Sequence, residues 1–416
     1  MENRRVVITG MGAITPIGNN LQEYWNALVA GKSGAGPITR FDHSKFKTHF
    51  ACEVKDYNPA DYFDRKETRK MDLYSQFAMI SSEEAIKDAD LKLEKINKKR
   101  VGVIWATGIG GFQTFEEQVE DFVQNDLNPR FTPFFIHKII PDTAAGLISI
   151  KHGFQGINFC TVSACASSSN AIIDAFNYIK WGKADVFVTG GSEAPITQAS
   201  VGGFNSMKAL STNNENYIQA SKPFDLNRDG FVIGEGGAAL ILEEYEHAMN
   251  RGAKIYAEVL GGGMAADAYH ITATHPEGIG AYDSMNLAIE DAEISPEQID
   301  YINAHATSTS LGDISEMKAV ARLFGDLEKR PLISATKSMT GHLLGGAGSI
   351  EAVASVMAIY KNIIPPTINS TEIDSDLPDK VSLVIGEKVE TEVNVALSNT
   401  FGFGGHNASL IFKKVR

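Results

Sequence analysis

The feature that most constrains how this chain folds is that its second half repeats the pattern of its first. Gly230-Phe231-Val232-Ile233-Gly234-Glu235-Gly236-Gly237-Ala238-Ala239-Leu240-Ile241-Leu242, a glycine-rich loop running into a strand, returns as Gly402-Phe403-Gly404-Gly405-His406-Asn407-Ala408-Ser409-Leu410-Ile411-Phe412. A second pair accompanies it. The small-residue stretch Val162-Ser163-Ala164-Cys165-Ala166-Ser167-Ser168-Ser169 and the helical run after it have a counterpart in Ser338-Met339-Thr340-Gly341-His342-Leu343-Leu344-Gly345-Gly346-Ala347-Gly348 and its helical run. The echo is too weak for the short-period repeats that build solenoids. It predicts two related halves, 1–252 and 253–416, with the seam where Asn250-Arg251-Gly252 breaks a helix before the next strand. If the halves pack face to face, two helix starts bring Cys165 and His342 to one centre.

Local periodicity supplies the fold class. Short β-branched runs at Val6–Thr9, Val101–Trp105, Val186–Thr189, Ala238–Leu242, Ile299–Asn303, Leu332–Ser334, Val395–Ser398 and Ala408–Phe412 alternate with helical patterns at Leu73–Ala89, Ser168–Trp181, Tyr282–Asp291, Ile314–Leu323 and Ser349–Tyr360. That alternation predicts an α/β protein. The helices from Ser168 and Ser349 carry few charges and should be buried. A length of 416 residues exceeds the usual single domain, and 43% hydrophobic with 21% charged residues describes an ordinary soluble globular chain.

Charge and cysteine usage exclude several functions. A net charge of -13 argues against the broad basic surface that nucleic acid requires. Three cysteines, Cys52, Cys160 and Cys165, are too few to staple a chain of this size and fit a reducing cytoplasm. Arg4-Arg5-Val6-Val7-Ile8-Thr9-Gly10 runs into a strand without the apolar segment of a signal peptide, which adds to the cytoplasmic expectation. The apolar stretch Ile350–Ile364 is interrupted by Glu351 and Lys361, so no membrane span is expected.

The candidate chemistry centres on Cys165. Most free cysteines are small buried core residues, but this one lies among small residues at what reads as the opening of a helix. The unpaired N–H groups and positive dipole end there predict a lowered pKa and a nucleophilic thiolate. Cys160, within a strand-like run, reads as core, and Cys52 as incidental. His305 follows the strand end Tyr301-Ile302-Asn303-Ala304, a place where α/β proteins keep their sites. Alone it reads as a loop histidine with a structural hydrogen bond; with His342 in a glycine-lined loop, the two imidazoles are suited to an acyl group's oxygen. Lys337 and Glu351, on either side of that loop, are predicted to pair, because an unpaired buried charge is too costly.

Other constellations carry less. The cysteines and histidines lack zinc spacing, so no metal is expected. The runs Gly108-Ile109-Gly110-Gly111 and Gly261-Gly262-Gly263 lack a dinucleotide fingerprint and read as close packing, so no cofactor is expected. Arg65, Lys66, Arg69 and Lys70, joined by Lys208, cluster at helical spacing. Such a cluster is often only a solvated face, but here an acidic partner competes with that reading.

Taken together, Val6-Val7-Ile8-Thr9-Gly10-Met11-Gly12, Ser163-Ala164-Cys165, Pro223-Phe224-Asp225 with Arg228-Asp229-Gly230-Phe231, Asn303-Ala304-His305, Lys337-Ser338-Met339-Thr340-Gly341-His342 and Gly402-Phe403-Gly404-Gly405 resemble the elongating β-ketoacyl-acyl carrier protein synthases of bacterial fatty-acid synthesis over nearly the whole chain. The resemblance implies a thiolase-like fold of five αβαβα layers built from two similar halves, and a homodimer. It implies that Cys165 receives an acyl group from acyl carrier protein, that malonyl-acyl carrier protein loses carbon dioxide, and that the resulting enolate attacks the thioester in a decarboxylative Claisen condensation.

By the same resemblance, His305 and His342 stabilise the donor's thioester oxygen, and the backbone N–H groups of Cys165 and Phe403 form a second oxyanion hole. Phe403 gates entry, Thr307 and Thr309 hold the pantetheine arm, Ile109 and Phe204 line the acyl pocket, and Lys66, Arg69, Lys70 and Lys208 dock the acidic carrier protein. Ala306 and His406 depart from residues common in the family and bear on chain-length preference.

Rival readings have their own residue requirements. A degradative thiolase needs a second cysteine in the C-terminal glycine-rich region, and Phe401–Asn407 has none. A priming synthase places asparagine where His342 stands. A non-catalytic chain-length factor lacks the nucleophile that Cys165 provides. A ketosynthase of a dedicated polyketide or polyene pathway differs least.

Overall fold

The computed structural model describes residues 4–415. In the first half, strands β1 (Val6–Ile14), β2 (Val101–Ala106), β3 (Asn158–Thr161), β4 (Val186–Glu193) and β5 (Gly236–Glu244) are accompanied by helices α1 (Leu73–Asp88), α2 (Thr143–His152) and α3 (Ser167–Lys180). The second half supplies β6 (Ala257–Ala266), β7 (Tyr301–Asn303), β8 (Leu332–Ser334), β9 (Ser382–Leu383), β10 (Val395–Gly402) and β11 (His406–Lys413), with α4 (Ile279–Asp291), α5 (Ser310–Phe324) and α6 (Ala347–Lys361). These strands form an 11-stranded sheet in the order β9-β8-β7-β10-β11-β6-β1-β5-β4-β2-β3.

The order is a mirror about the β6–β1 junction. From that junction outward, β1-β5-β4-β2-β3 has the same succession of pairings as β6-β11-β10-β7-β8: two antiparallel pairs, then two parallel ones. Both halves carry a register shift at the same place, between Ile8 and Gly10 in β1 and opposite Gly261 and Val259 in β6. Among the described residues, the half-sheets are hydrogen-bonded to each other through a short antiparallel pairing, Val6–Ile8 against Ala257–Val259. Elsewhere α3 and α6 lie between them: α3 packs on β4 and β2, α6 on β10 and β5, and the two helices on each other. With α1 and α2 outside one half-sheet, and α4 and α5 outside the other, the result is five layers, αβαβα.

Glycine sets the spacing of the outer layers. A Cβ on Gly12 would lie 2.2 Å from the carbonyl oxygen of Ser81 in α1, and one on Gly10 2.3 Å from that of Ala85. The same contact recurs across the duplication, where a Cβ on Gly263 would lie 2.1 Å from the Ser284 oxygen in α4 and one on Gly261 2.9 Å from that of Ala288. The run Gly261-Gly262-Gly263 is therefore close packing within β6.

The sequence reading places the helices correctly to within a few residues, and α3 and α6 are buried as expected. It stops β1 at Thr9, whereas the strand continues to Ile14, because glycines that punctuate a loop here lie under a helix. β6 is anticipated only as the strand that follows Gly252, without bounds, and α2 and β9 have no counterpart in that reading. Cys160, expected in the core, is half-buried on β3, which is the outermost strand of its half.

Gly263→Ala is expected to destabilise the protein by about 3 kcal/mol through overpacking against backbone. Gly203→Ala, on the helix Gln198–Ser206 with nothing within 4 Å of the added Cβ, should be neutral or slightly stabilising. Denaturant unfolding of the two variants checks the contrast.

Candidate active site

Cys165 does not open the helix. α3 begins at Ser167 with Ala166 in the cap position, and Cys165 sits in the preceding turn, where Ala164 takes a left-handed φ of +50°. Ser167 fastens this turn: its hydroxyl accepts from the Ser163 N–H at 2.8 Å and donates to the Ala164 carbonyl at 2.6 Å. The helix lacks a side-chain cap because its cap residue, Ala166, has no side-chain acceptor.

His342 follows the short helix Lys337–Thr340, and Gly341 between them has φ +67° and no room for a side chain, since its Cβ would fall 2.9 Å from the Cys52 sulfur. Backbone bonds from His342 N to Val232 O and from Gly234 N to His342 O, 2.8 and 2.9 Å, hold the loop against the first half. His305 lies two residues beyond β7. Its backbone N–H and that of Ala306 are received by the two carboxylate oxygens of Glu316 on α5, at 2.9 and 2.8 Å.

The three side chains meet. His342 Nε2 is 3.0 Å from Cys165 Sγ, and the His305 and His342 rings stand edge to face with centroids 5.3 Å apart. Lys337 Nζ is 3.2 Å from His305 Nδ1 and also pairs with Glu351, both charges being buried as the sequence predicts. An ammonium can only donate, so Nδ1 accepts and the His305 proton resides on Nε2. His342 Nδ1 has no partner among the described residues, which leaves its tautomer unfixed.

Burial dominates the protonation states. It holds His305 and His342 well below the usual histidine range, an effect reinforced by the Lys337 charge, so both are neutral. It raises Glu316 to about 7 against three hydrogen bonds, and raises Glu351 against its ion pair. It also overturns the expected thiolate: burial pushes Cys165 up to about 11, outweighing Lys337 and the Phe403 N–H, which favour the anion. At rest Cys165 is a thiol beside a neutral imidazole that can take its proton.

A cavity of about 580 Å³ opens onto these groups. Ile109, Phe204, Thr307, Thr309, Phe403 and Lys208 line it together with Cys165, His305 and His342. Lys337 and Glu351 lie behind the histidines. Lys66, Arg69 and Lys70 are exposed on and just after the four-residue helix Arg65–Thr68 and do not line the cavity.

Sequence reasoning missed Glu316, although a glutamate on the buried face of a predicted helix is a signal that could have found it. It also gave no site role to Phe401, 5.8 Å from His305, or Phe231, 5.3 Å from His342. The arrangement can attack a thioester and then stabilise negative charge on an oxygen with two neutral N–H donors.

Comparison with known proteins agrees with this chemistry. The family profile described as beta-ketoacyl synthase, N-terminal domain, matches residues 3–248, and that of the C-terminal domain matches residues 256–371. The chain is 49% identical over 415 residues to a 3-oxoacyl-[acyl-carrier-protein] synthase 2 of Synechocystis sp., covering 100% of this chain and 99% of that one. Among solved structures, a beta-ketoacyl synthase from Burkholderia phymatum superposes with a TM-score of 0.92 at 36% identity, covering 99% and 100% of the two chains. A type II polyketide ketosynthase, solved with its acyl-carrier protein and a hexaketide, gives 0.92 at 34% identity, again covering 99% and 100%.

A thiol pushed up to about 11 predicts that alkylation of Cys165 by iodoacetamide keeps accelerating through pH 9 instead of levelling near the ordinary thiol value of about 8.5. Peptide mass spectrometry separates it from Cys52 and Cys160, which burial pushes up to about 12. A rate plateau below pH 8 would contradict the buried-thiol picture.

Proposed function

Because the chain belongs to the beta-ketoacyl synthase family, we propose that Cys165 is its acyl carrier and that His305 and His342 stabilise the oxygen charge of its condensation. The chain is an acyltransferase of fatty-acid biosynthesis. It joins an acyl thioester to malonyl-acyl carrier protein with loss of carbon dioxide, giving a 3-oxoacyl-acyl carrier protein two carbons longer. The observation that carries the residue assignment is the meeting of one thiol and two neutral imidazoles in a single cavity.

In the first step, Cys165 Sγ attacks the acyl carbonyl carbon while His342 Nε2 takes the thiol proton and passes it to the departing pantetheine sulfur. The backbone N–H groups of Cys165 and Phe403, both of which favour the Cys165 anion, receive the transient oxyanion. In the second step, the bond from the malonyl methylene to its carboxylate breaks. Carbon dioxide leaves, and the electron pair moves onto the thioester oxygen against the Nε2–H groups of His305 and His342. The enolate carbon then attacks the Cys165 thioester, a carbon–carbon bond forms, and Cys165 leaves as thiolate to be reprotonated through His342.

The two histidines therefore have different duties. His305 is fixed as a donor by Lys337, whereas His342, with Nδ1 unpartnered, must exchange its ring proton with water from Nδ1 to Nε2 between the steps, so that Nε2 accepts in the first and donates in the second. Lys337 and Glu351 act through His305.

The substrate path follows the cavity. Ile109 and Phe204 line the acyl pocket, Phe403 gates its entry, and Thr307 with Thr309, whose hydroxyls are 3.1 Å apart, hold the pantetheine arm. Lys66, Arg69, Lys70 and Lys208 dock the acidic carrier protein. We place the unit boundary between residues 252 and 253, and we assign a homodimer with β3 at the shared edge. Ile150 is 80% exposed and Val162 57% exposed beside that strand, an apolar surface suited to cover by a second copy. No helix among the described residues is long and apolar enough to cross a membrane, and a cytoplasmic site of action is proposed.

Cys165→Ala is expected to abolish the acyl adduct formed on incubation with acyl-acyl carrier protein. His305→Ala should retain acylation but lose malonyl decarboxylation by about a hundredfold. Intact-protein mass spectrometry and carbon dioxide release measure the two steps; a full adduct on Cys165→Ala would remove the nucleophile assignment. Reversing charge at Lys66, Arg69 and Lys70 should raise KM for carrier-protein substrates while leaving an acyl-coenzyme A surrogate nearly unaffected. Equal losses with both substrates would remove the docking assignment.

A further inference from the structure

Glu193 takes no part in the chemistry above, yet it is a carboxylate only 1% exposed beside the site. It closes β4, whose parallel neighbour β2 continues into Thr107, Gly108 and Ile109. Its two oxygens accept four hydrogen bonds. Oε1 receives the Thr107 hydroxyl at 2.6 Å and the Ile109 N–H at 3.1 Å, and Oε2 receives the N–H groups of Gly108 at 2.6 Å and Gly345 at 2.9 Å. Burial raises Glu193 above the usual glutamate range, and these four bonds oppose it; three of the donors are backbone N–H groups, which cannot accept, so the bonds themselves favour the carboxylate, and no lysine or arginine pairs with it among the described residues.

The glycines show how tightly this knot is drawn. A Cβ on Gly345 would lie 2.1 Å from Gly108 N, and one on Gly108 2.9 Å from Glu193 Oε2. One side chain thus ties together two loops from opposite halves. The first ends at Ile109; the second runs from His342 through Leu344, itself at φ +46°, to Gly345. Ile109, Leu344 and His342 all line the cavity that holds Cys165.

We propose that Glu193 is a positioning and specificity-determining residue: by bonding both loops it sets the gap between the Ile109 wall and the His342 loop, and so decides which acyl chains reach Cys165. The inference rests on the condensing activity assigned above. An acyl chain longer than the present gap must displace Ile109, and Ile109 cannot move far without breaking the bonds its own N–H and that of Gly108 make to Glu193. A second consequence separates this role from simple support. The Glu193 charge lies near enough to Cys165 to disfavour the thiolate, in opposition to Lys337 and alongside the neutral His342; Tyr74 and Cys160 are the other titratable groups that feel it.

The test uses the full-length protein as Glu193→Gln and Thr107→Val. Acylation of Cys165 is measured with acyl-acyl carrier proteins of short, medium and long chain, together with the pH profile of Cys165 alkylation. In Glu193→Gln an amide N–H₂ faces two donors, so the ratio of kcat/KM for long to short donors should change roughly tenfold, and the alkylation profile should move to lower pH. Thr107→Val keeps the charge; it should alter the chain-length ratio in the same direction, with no downward move in pH. A folded Glu193→Gln protein with wild-type chain selectivity and a wild-type alkylation profile overturns the proposal. Should that variant not fold, an unchanged chain-length ratio in Thr107→Val overturns it. If the wild-type protein itself accepts no acyl group, the condensing activity falls instead.

Discussion

Everything at the centre of this protein depends on two helix starts being allowed to touch. A Cβ on Gly348, near the beginning of α6, would lie 2.3 Å from the Ser169 hydroxyl in α3. The neighbouring Ser349 N–H donates to Ser168 Oγ at 2.9 Å, and Thr400 Oγ1 on β10 reaches Ser169 Oγ at 2.6 Å. Small residues with hydroxyls do two things here: they let the backbones approach, and they satisfy N–H groups that a buried helix start leaves open. Because the helices meet at their N-terminal ends, the turn before one and the loop before the other are forced together. Those segments carry Cys165 and His342.

Placing this meeting point in the interior has electrostatic consequences. Lys337, Glu351 and Glu316 are all buried, and a buried ion pair is weak evidence of stabilisation because desolvation offsets its attraction. Its value here is orientation: the Lys337 ammonium fixes one tautomer of His305, and Glu316 fixes the backbone that carries the ring. The same burial keeps both imidazoles neutral, which a donor to a developing oxyanion needs, and keeps Cys165 protonated until a proton acceptor 3.0 Å away is used. In the mechanism proposed above, low polarity thus works against the Cys165 thiolate at rest and in favour of the step that follows.

What the sequence made legible were features local in the chain. The repeated glycine loop and strand, the apolar helices and the chemistry-bearing trio could be read from a few adjacent residues each. What it hid depends on partners far away. Gly10 and Gly12 look like loop residues until α1 lies on them. Local N–H groups at a helix start favour a Cys165 thiolate, but the thiol's state is decided by how much of the other half covers it. Glu193 and Glu316 are ordinary glutamates in the sequence, and each acquires meaning only from N–H donors in loops brought there by the fold. Lys337 and Glu351 were readable because a charge pair in an apolar setting is a contradiction visible without coordinates.

The duplication also explains why neither half holds a complete site. β4 and β10 occupy equivalent places in the mirrored sheet and are each eight residues long. β4 ends in Glu193, whose carboxylate secures Gly345 in the loop of the second half. β10 ends in Gly402, where a Cβ would lie 3.0 Å from the Cys165 N–H nitrogen in the first half, and the N–H of the next residue, Phe403, favours the Cys165 anion. Equivalent strand ends have thus diverged into two different braces, each reaching across to the segment of the other half that carries Cys165 or His342. A change that separates the halves slightly loosens both braces at once, so the geometry of the reacting groups and the packing of α3 on α6 are one constraint.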